Sequence, residues 1–245
     1  MLLGGAVCFL ASAVAVSLFD RARASQGHSR ELDLRLALKR DEFELHYQPI
    51  CDLATGEIAV CEAPVRWNHP QRGLLGPNHF ISLAEETSLI VQLGDWVLRT
   101  ACSDTARWSK ACVAVDLSPV QLKKSSLVAT VKTALRQAGL APHRLELEIT
   151  ESVLLHNSAT MREILHELRA FGVKISLDDF GTGYSSLSYL RSFPFDKIKI
   201  DRCFINELAT GRDSLAIVRA VTGLGKSLGI ATWRKASRPT RSSTS

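Results

Sequence analysis

Short runs of alternating apolar and polar residues recur along the chain, separated by longer stretches of helical period. The strand-like runs are FELHYQPI (43–50), IAVCEAPV (58–65), CVAVDL (112–117), RLELEI (144–149), VKISLD (173–178) and DKIKI (196–200). Between them lie HFISLAEE, IVQLGDWVLRTACSDTARWS, SPVQLKKSSLVATVKTALRQAG, SATMREILHELRAFG and SLSYLRS, and SLAIVRAVTGLGKSLG follows the last. Several helical stretches open on a polar residue and close near glycine, as capping chemistry favours. This alternation predicts an α/β fold with a parallel sheet and crossover helices. A closed (β/α) barrel and a doubly wound sheet both satisfy it.

The pattern differs at the N-terminus. Leu2 to Phe19 is an uncharged run of 18 residues, close to the shortest helix that spans a bilayer core. Arg21 and Arg23 follow at once, which places the rest of the chain on the cytoplasmic side. A cleaved signal peptide would carry basic residues before the apolar run and small neutral ones after it, the reverse of what is found. The expectation is a transmembrane helix over 1–20, a polar linker over 21–32 with a short amphipathic helix beginning at its end (ELDLRLALKR), and localisation at the cytoplasmic (inner) membrane with the soluble part in the cytoplasm.

Composition changes this picture little. The 245 residues, 46% hydrophobic and 22% charged, suit one large domain with an appendage. The net charge of +5 is local: Arg234, Lys235, Arg238 and Arg241 supply four of the positive charges, and no acid lies between Ala231 and Ser245. A chain whose remainder carries +1 is not a nucleic-acid polymer binder. The six cysteines form no C-x-x-C pair, which favours reduced thiols over a zinc site or a disulfide framework.

Acidic residues recur where strands should end. Glu62, Asp116, Glu148 and the pair Asp178–Asp179 are spaced 54, 32 and 30 residues apart from Glu62 to Asp178, the last two intervals suiting one βα unit each. In a barrel such residues reach the same C-terminal rim. Carboxylates converging there repel, and a hard divalent cation such as Mg²⁺, Mn²⁺ or Ca²⁺ relieves the repulsion through oxygen ligands. Lys199 lies one strand further on and could hold a phosphate or a metal-bound water. Lys197 shares its face, so alternation alone does not choose between them. The two glycines of FGTGYSS suit a loop that brings backbone close to a ligand.

The motifs ELHYQPI, RWNHP, LGDWVL, LEITES, DDFGTGYSSLSYL and FPFDKIKID, in this order, resemble the EAL-domain family of cyclic-di-GMP phosphodiesterases from about Asp33 to Thr232. The resemblance implies a modified TIM barrel whose first strand runs antiparallel to the rest. It implies hydrolysis of one phosphodiester of cyclic di-GMP to linear pGpG with Mg²⁺ or Mn²⁺. Carried over by position, Glu62, Asp116, Glu148 and Asp178 match metal ligands. Asp179 matches the residue serving a second metal and the attacking water, and Lys199 the catalytic-site lysine. Gln48 and Arg66 match substrate contacts, Arg66 towards a phosphate. Glu151 matches the glutamate that braces the DFGTGYSS loop, which in the family also touches a homodimer interface.

Three positions depart from the family pattern. E-A-L reads Glu62-Ala63-Pro64, and proline in a central strand is expected to bend it and misplace Glu62. The asparagine of V-N-L-S-P is Asp116, which adds a negative charge. After GIAT the family's V-A-E-G-V-E-T is replaced by WRKASRP (233–239). One coding of V-A-E-G-V-E-T with its first G deleted reads W-R-K-A-S-R-P, so residues 233–245 are expected to be a frameshifted, disordered tail and the barrel to be incomplete at its C-terminus. Lys235 then stands where the family has a glutamate acting on the nucleophilic water.

Overall fold

The computed structural model describes residues 30–52, 55–151, 153, 159–180, 190, 192–201 and 212–234. The predicted membrane helix, the linker up to residue 29, residues 181–189 of the glycine loop and the tail from Lys235 lie outside the described residues. Among the described residues no helix is long and apolar enough to cross a membrane.

The described residues form ten strands: β1 (Phe43–Leu45), β2 (Gln48–Cys51), β3 (Ile58–Glu62), β4 (Val65–His69), β5 (Gly73–Leu75), β6 (Cys112–Asp116), β7 (Leu145–Thr150), β8 (Lys174–Phe180), β9 (Lys197–Ile200) and β10 (Ala231–Arg234). They fall into two compact units, one within 1–44 and 66–93, the other within 45–65 and 94–245. The first unit carries the sheet β1-β4-β5. Its core is aromatic: Phe43, Trp67 and Phe80 are buried, with ring centres 5.6–5.8 Å apart, and Trp67 donates its indole N–H to Glu42 at 3.0 Å.

The second unit is a seven-stranded sheet in the order β10-β9-β8-β7-β6-β3-β2. Strand order follows chain order without reversal, the winding of a barrel and not of a doubly wound sheet. β2 pairs antiparallel with β3, and every other pairing in this sheet is parallel. The antiparallel first strand implied by the motifs is therefore present. Trp233 and Arg234, expected in the tail, continue β10 opposite Lys199 and Ile200.

The alternation in the sequence becomes two sheet faces. Val113, Val115, Leu145, Leu147, Ile149, Ile175, Leu177, Ile198 and Ile200 are all buried on one face. The helices Leu127–Ala138 and Ala159–Ala170 contribute the similarly buried Val131, Leu135, Leu165 and Leu168. The opposite face carries Asp116, Glu146, Glu148, Ser176, Asp178, Lys197 and Lys199. Apolar packing on one side thus fixes which residues are presented on the other.

Two predicted strands are divided. FELHYQPI breaks at His46–Tyr47, because β1 pairs with β4 while β2 pairs with β3. IAVCEAPV ends β3 at Glu62, and β4 begins at Val65. Pro64 lies in this gap, so its missing N–H removes no ladder bond. Its carbonyl accepts from His46 N at 3.2 Å, and Ala63 N donates to Ala114 O at 3.0 Å. The expected bend at Glu62 is corrected: Glu62 stays in register with Gln48 and Ala114. SPVQLKKSSLVATVKTALRQAG likewise forms two helices, Pro119–Leu122 and Leu127–Ala138.

Candidate functional site

The predicted site residues of the second unit gather at the C-terminal ends of its parallel strands. Asp116 stands opposite Glu148, and Thr150 opposite Asp178, so the acids rise in a stagger along successive strands. Carboxylate oxygens of Asp116, Glu148 and Asp178 all lie within 4.8 Å of one another. Glu148 and Asp178 are buried and Asp116 is exposed. Three carboxylates this close repel, and two of them have lost most of the water that would screen them. Oxygen donors in such a cluster fit a hard divalent cation, Mg²⁺ or Mn²⁺ among them, though nothing in the donor set selects one ion. Asp116 in place of asparagine strengthens the negative field.

Lys199 closes the cluster from β9. It is 1% exposed, and its Nζ donates to Glu62 Oε1 at 2.8 Å and to Glu148 Oε1. Burial works against its charge, but the Glu148 and Glu62 carboxylates outweigh it, so Lys199 stays protonated well above neutral pH. Glu148 is pushed up to about 8, first by burial and then by the charges of Asp116 and Asp178, against the pull of Lys199. Burial thus favours the protonated form of Glu148, while Lys199 favours the charged one. A divalent cation held by Asp116, Glu148 and Asp178 would favour their deprotonated forms.

Asp179 follows Asp178 with φ 53°, a left-handed backbone that a non-glycine residue adopts at a cost. The register of β8 against β9 shifts between Leu177 and Phe180, across the residue expected to serve the attacking water. Glu151 is buried just beyond β7, while the loop it was expected to brace lies outside the described residues. Gln48, half-buried on β2, stands opposite Glu62. Arg66 lies on β4, in the other unit.

The surrounding contacts order these elements. Tyr47, next to Gln48, donates its hydroxyl to Asp104 Oδ2 at 2.7 Å and packs edge-on against Trp108. Burial first, then Asp104, pushes its phenol far above its usual value, so Tyr47 remains a donor. Beyond Asp116, Ser118 caps Pro119–Leu122 by accepting from Val120 N at 3.1 Å, and Gln121 Oε1 accepts from Ser118 N at 3.1 Å. Gly94 permits this cap: a Cβ there would fall 2.0 Å from Gln121 Nε2.

Sequence reasoning assigned no role to Glu146 and left Lys197 undecided. Glu146 and Lys197 form a second buried ion pair, with Lys197 Nζ 2.5 Å from Glu146 Oε2. The L-E-L-E and K-I-K alternations already placed both on the face of Glu148 and Lys199.

Residues 31–233 match the EAL domain family. A Sinorhizobium fredii protein, uncharacterized protein y4lL, is 53% identical over 203 residues, covering 82% of this chain and 24% of its own length. Cyclic di-GMP phosphodiesterase NbdA of Pseudomonas aeruginosa is 48% identical over 211 residues, covering 84% and 27%. This chain thus spans about a quarter of the length of such relatives. Among solved structures, the PaMucR phosphodiesterase in complex with c-di-GMP superposes with a TM-score of 0.81 at 44% identity, over 86% of this chain and 88% of that one.

Proposed function

The chain belongs to the EAL-domain family, and from that premise we propose that it is a membrane-anchored cyclic-di-GMP phosphodiesterase domain, hydrolysing c-di-GMP to pGpG with low turnover. The observation that carries the reading is the convergence of Asp116, Glu148 and Asp178 beside buried Lys199 at one end of the sheet. The relatives named for this activity, and the complex with this ligand, support the substrate class.

Glu62, Asp116, Glu148, Asp178 and Asp179 would hold Mg²⁺ or Mn²⁺. A bound cation would supply charge against the phosphodiester and activate water at neutral pH. The chain's own residues do the rest. Lys199 keeps its proton on Nζ and offsets negative charge at the phosphate. Asp179, with its left-handed backbone, accepts a proton from the attacking water. Gln48 hydrogen-bonds the substrate, and Arg66 is carried over as a phosphate contact by its place in the RWNHP motif alone.

Low turnover follows from position 235. A lysine there cannot take a proton from the nucleophilic water as the family's glutamate does. This also favours a second reading, a module that binds c-di-GMP through Gln48 and Arg66 without cleaving it. The uncharged run Leu2–Phe19 with its arginine flank supports the membrane anchor, and the DFGTGYSS motif supports a homodimer contact. The test is Lys235→Glu, assayed for pGpG by anion-exchange chromatography with Mn²⁺. Turnover should rise at least about tenfold, the scale of a positioned acid–base group. Equal, rapid turnover by both chains would refute the impairment.

A further inference from the structure

We propose that Glu146 is a positioning residue for the metal cluster: by confining Lys197 to a separate ion pair, it keeps a second cation out of the acidic site. The inference rests on the metal-dependent reading above. Glu146 lies two residues before Glu148 on the same face of β7, and Lys197 two before Lys199 on the same face of β9. Strand β8 runs between them, and its Ser176 stands opposite Glu148 on one side and Lys197 on the other. Serine is short enough for side chains from β7 and β9 to meet across it. Two ion pairs therefore stack inside the sheet, Glu148–Lys199 above and Glu146–Lys197 below.

The two storeys differ in charge. The upper one gathers the carboxylates of Glu62, Asp116, Glu148 and Asp178 near Lys199, the donor set that suits a divalent cation. The lower one is neutral because Glu146 matches Lys197. Glu146 is 1% and Lys197 7% exposed, so water screens neither well. Packing alone does not hold Lys197. A cavity of about 270 Å³ opens beside it, lined in part by Val60, Cys112 and Trp233. Its Nζ sits 3.9 Å from the centre of the Trp233 ring, a contact that directs the ammonium without neutralising it. Burial works first against the Lys197 charge and Lys199 repels it, while Glu146 and then Glu148 are the carboxylates that favour it. Once Glu146 loses its charge, the ammonium turns to Glu148, occupying a metal ligand and repelling the metal. Fold stability does not account for the pair, since replacing a buried ion pair with apolar side chains is commonly neutral or stabilising.

The test is Mn²⁺ affinity of the full chain at pH 8, read by electron paramagnetic resonance of free Mn²⁺, for wild type, Glu146→Gln and the double variant Glu146→Gln/Lys197→Met. Glu146→Gln should bind about 10–100-fold more weakly, the usual effect of losing a partner behind the ligands. The double variant, with the freed ammonium gone, should return to within about threefold of wild type, a coupling that independent sites would not show. A merely structural role for Glu146 predicts instead that Glu146→Gln loses Mn²⁺ affinity only in step with a loss of its cooperative urea unfolding in EDTA, because a lone buried ammonium destabilises the fold and the double variant relieves it. That result overturns the proposal, as does Glu146→Gln binding like wild type. A wild-type chain that binds no Mn²⁺ defeats the metal-dependent reading itself, before any variant is compared.

Discussion

Replacing Glu148 with glutamine should stabilise the metal-free chain increasingly as pH rises. Glutamine copies the protonated acid and keeps a carbonyl to accept from Lys199. In the metal-free chain Glu148 is raised from 4.5 to about 8, so it favours the folded state at low pH and loses that contribution as pH climbs through 8. Each unit between those values costs about 1.4 kcal/mol, so wild type gives up about 0.8 kcal/mol by pH 5 and about 4 kcal/mol by pH 8. Glutamine does not titrate. The Lys199 ammonium offsets part of that loss in wild type, so Glu148→Gln should be stabilised by about 2–4 kcal/mol at pH 8. At pH 5 it should match wild type within about 1 kcal/mol, or fall slightly below it where the amide is the poorer partner for Lys199. Urea unfolding in EDTA at pH 5, 6.5 and 8 reads this directly. With excess Mn²⁺ the ranking at pH 8 should reverse, because only wild type gains binding energy. A Glu148→Gln effect that does not vary with pH, or that destabilises the metal-free chain at pH 8, would refute the raised acid.

Gly94→Ala should destabilise the fold by about 1–2 kcal/mol in urea, because the methyl displaces buried Gln121 from its cap on Ser118. Cys102, fully buried with its thiol pushed up to about 12 by burial, should resist iodoacetamide at pH 8 in the native chain, while exposed Cys51 is alkylated; mass spectrometry of the peptides distinguishes them.

What the sequence made legible was periodic. In LELEIT, KISLDD and KIKI, strict alternation separated the apolar packing face from the acidic and basic face, and the spacing of the acids brought them to one end of the sheet. Contacts between distant strands were not legible. Lys197 and Lys199 are equivalent by alternation; the register puts Lys197 level with Ser176 and Glu148, yet the side chains pair diagonally, Lys199 with Glu148 and Lys197 with Glu146. FELHYQPI reads as one strand because its pattern continues through His46 and Tyr47, although the pairing partner changes there. Pro64 reads as a broken central strand, yet the chain places it where β3 has already ended. The left-handed backbone at Asp179 has only a weak signal in residue type, since aspartate tolerates that conformation better than most residues but is common in ordinary strands too.

The account turns on metal-dependent recognition of c-di-GMP at the cluster around Lys199. Calorimetric titration of c-di-GMP into the full chain, with Mn²⁺ and again in EDTA, followed by chromatography of the products, tests it most directly. Saturable binding that requires Mn²⁺, with slow appearance of pGpG, is the predicted result. Binding that is absent, or unchanged by removing the metal, would contradict it.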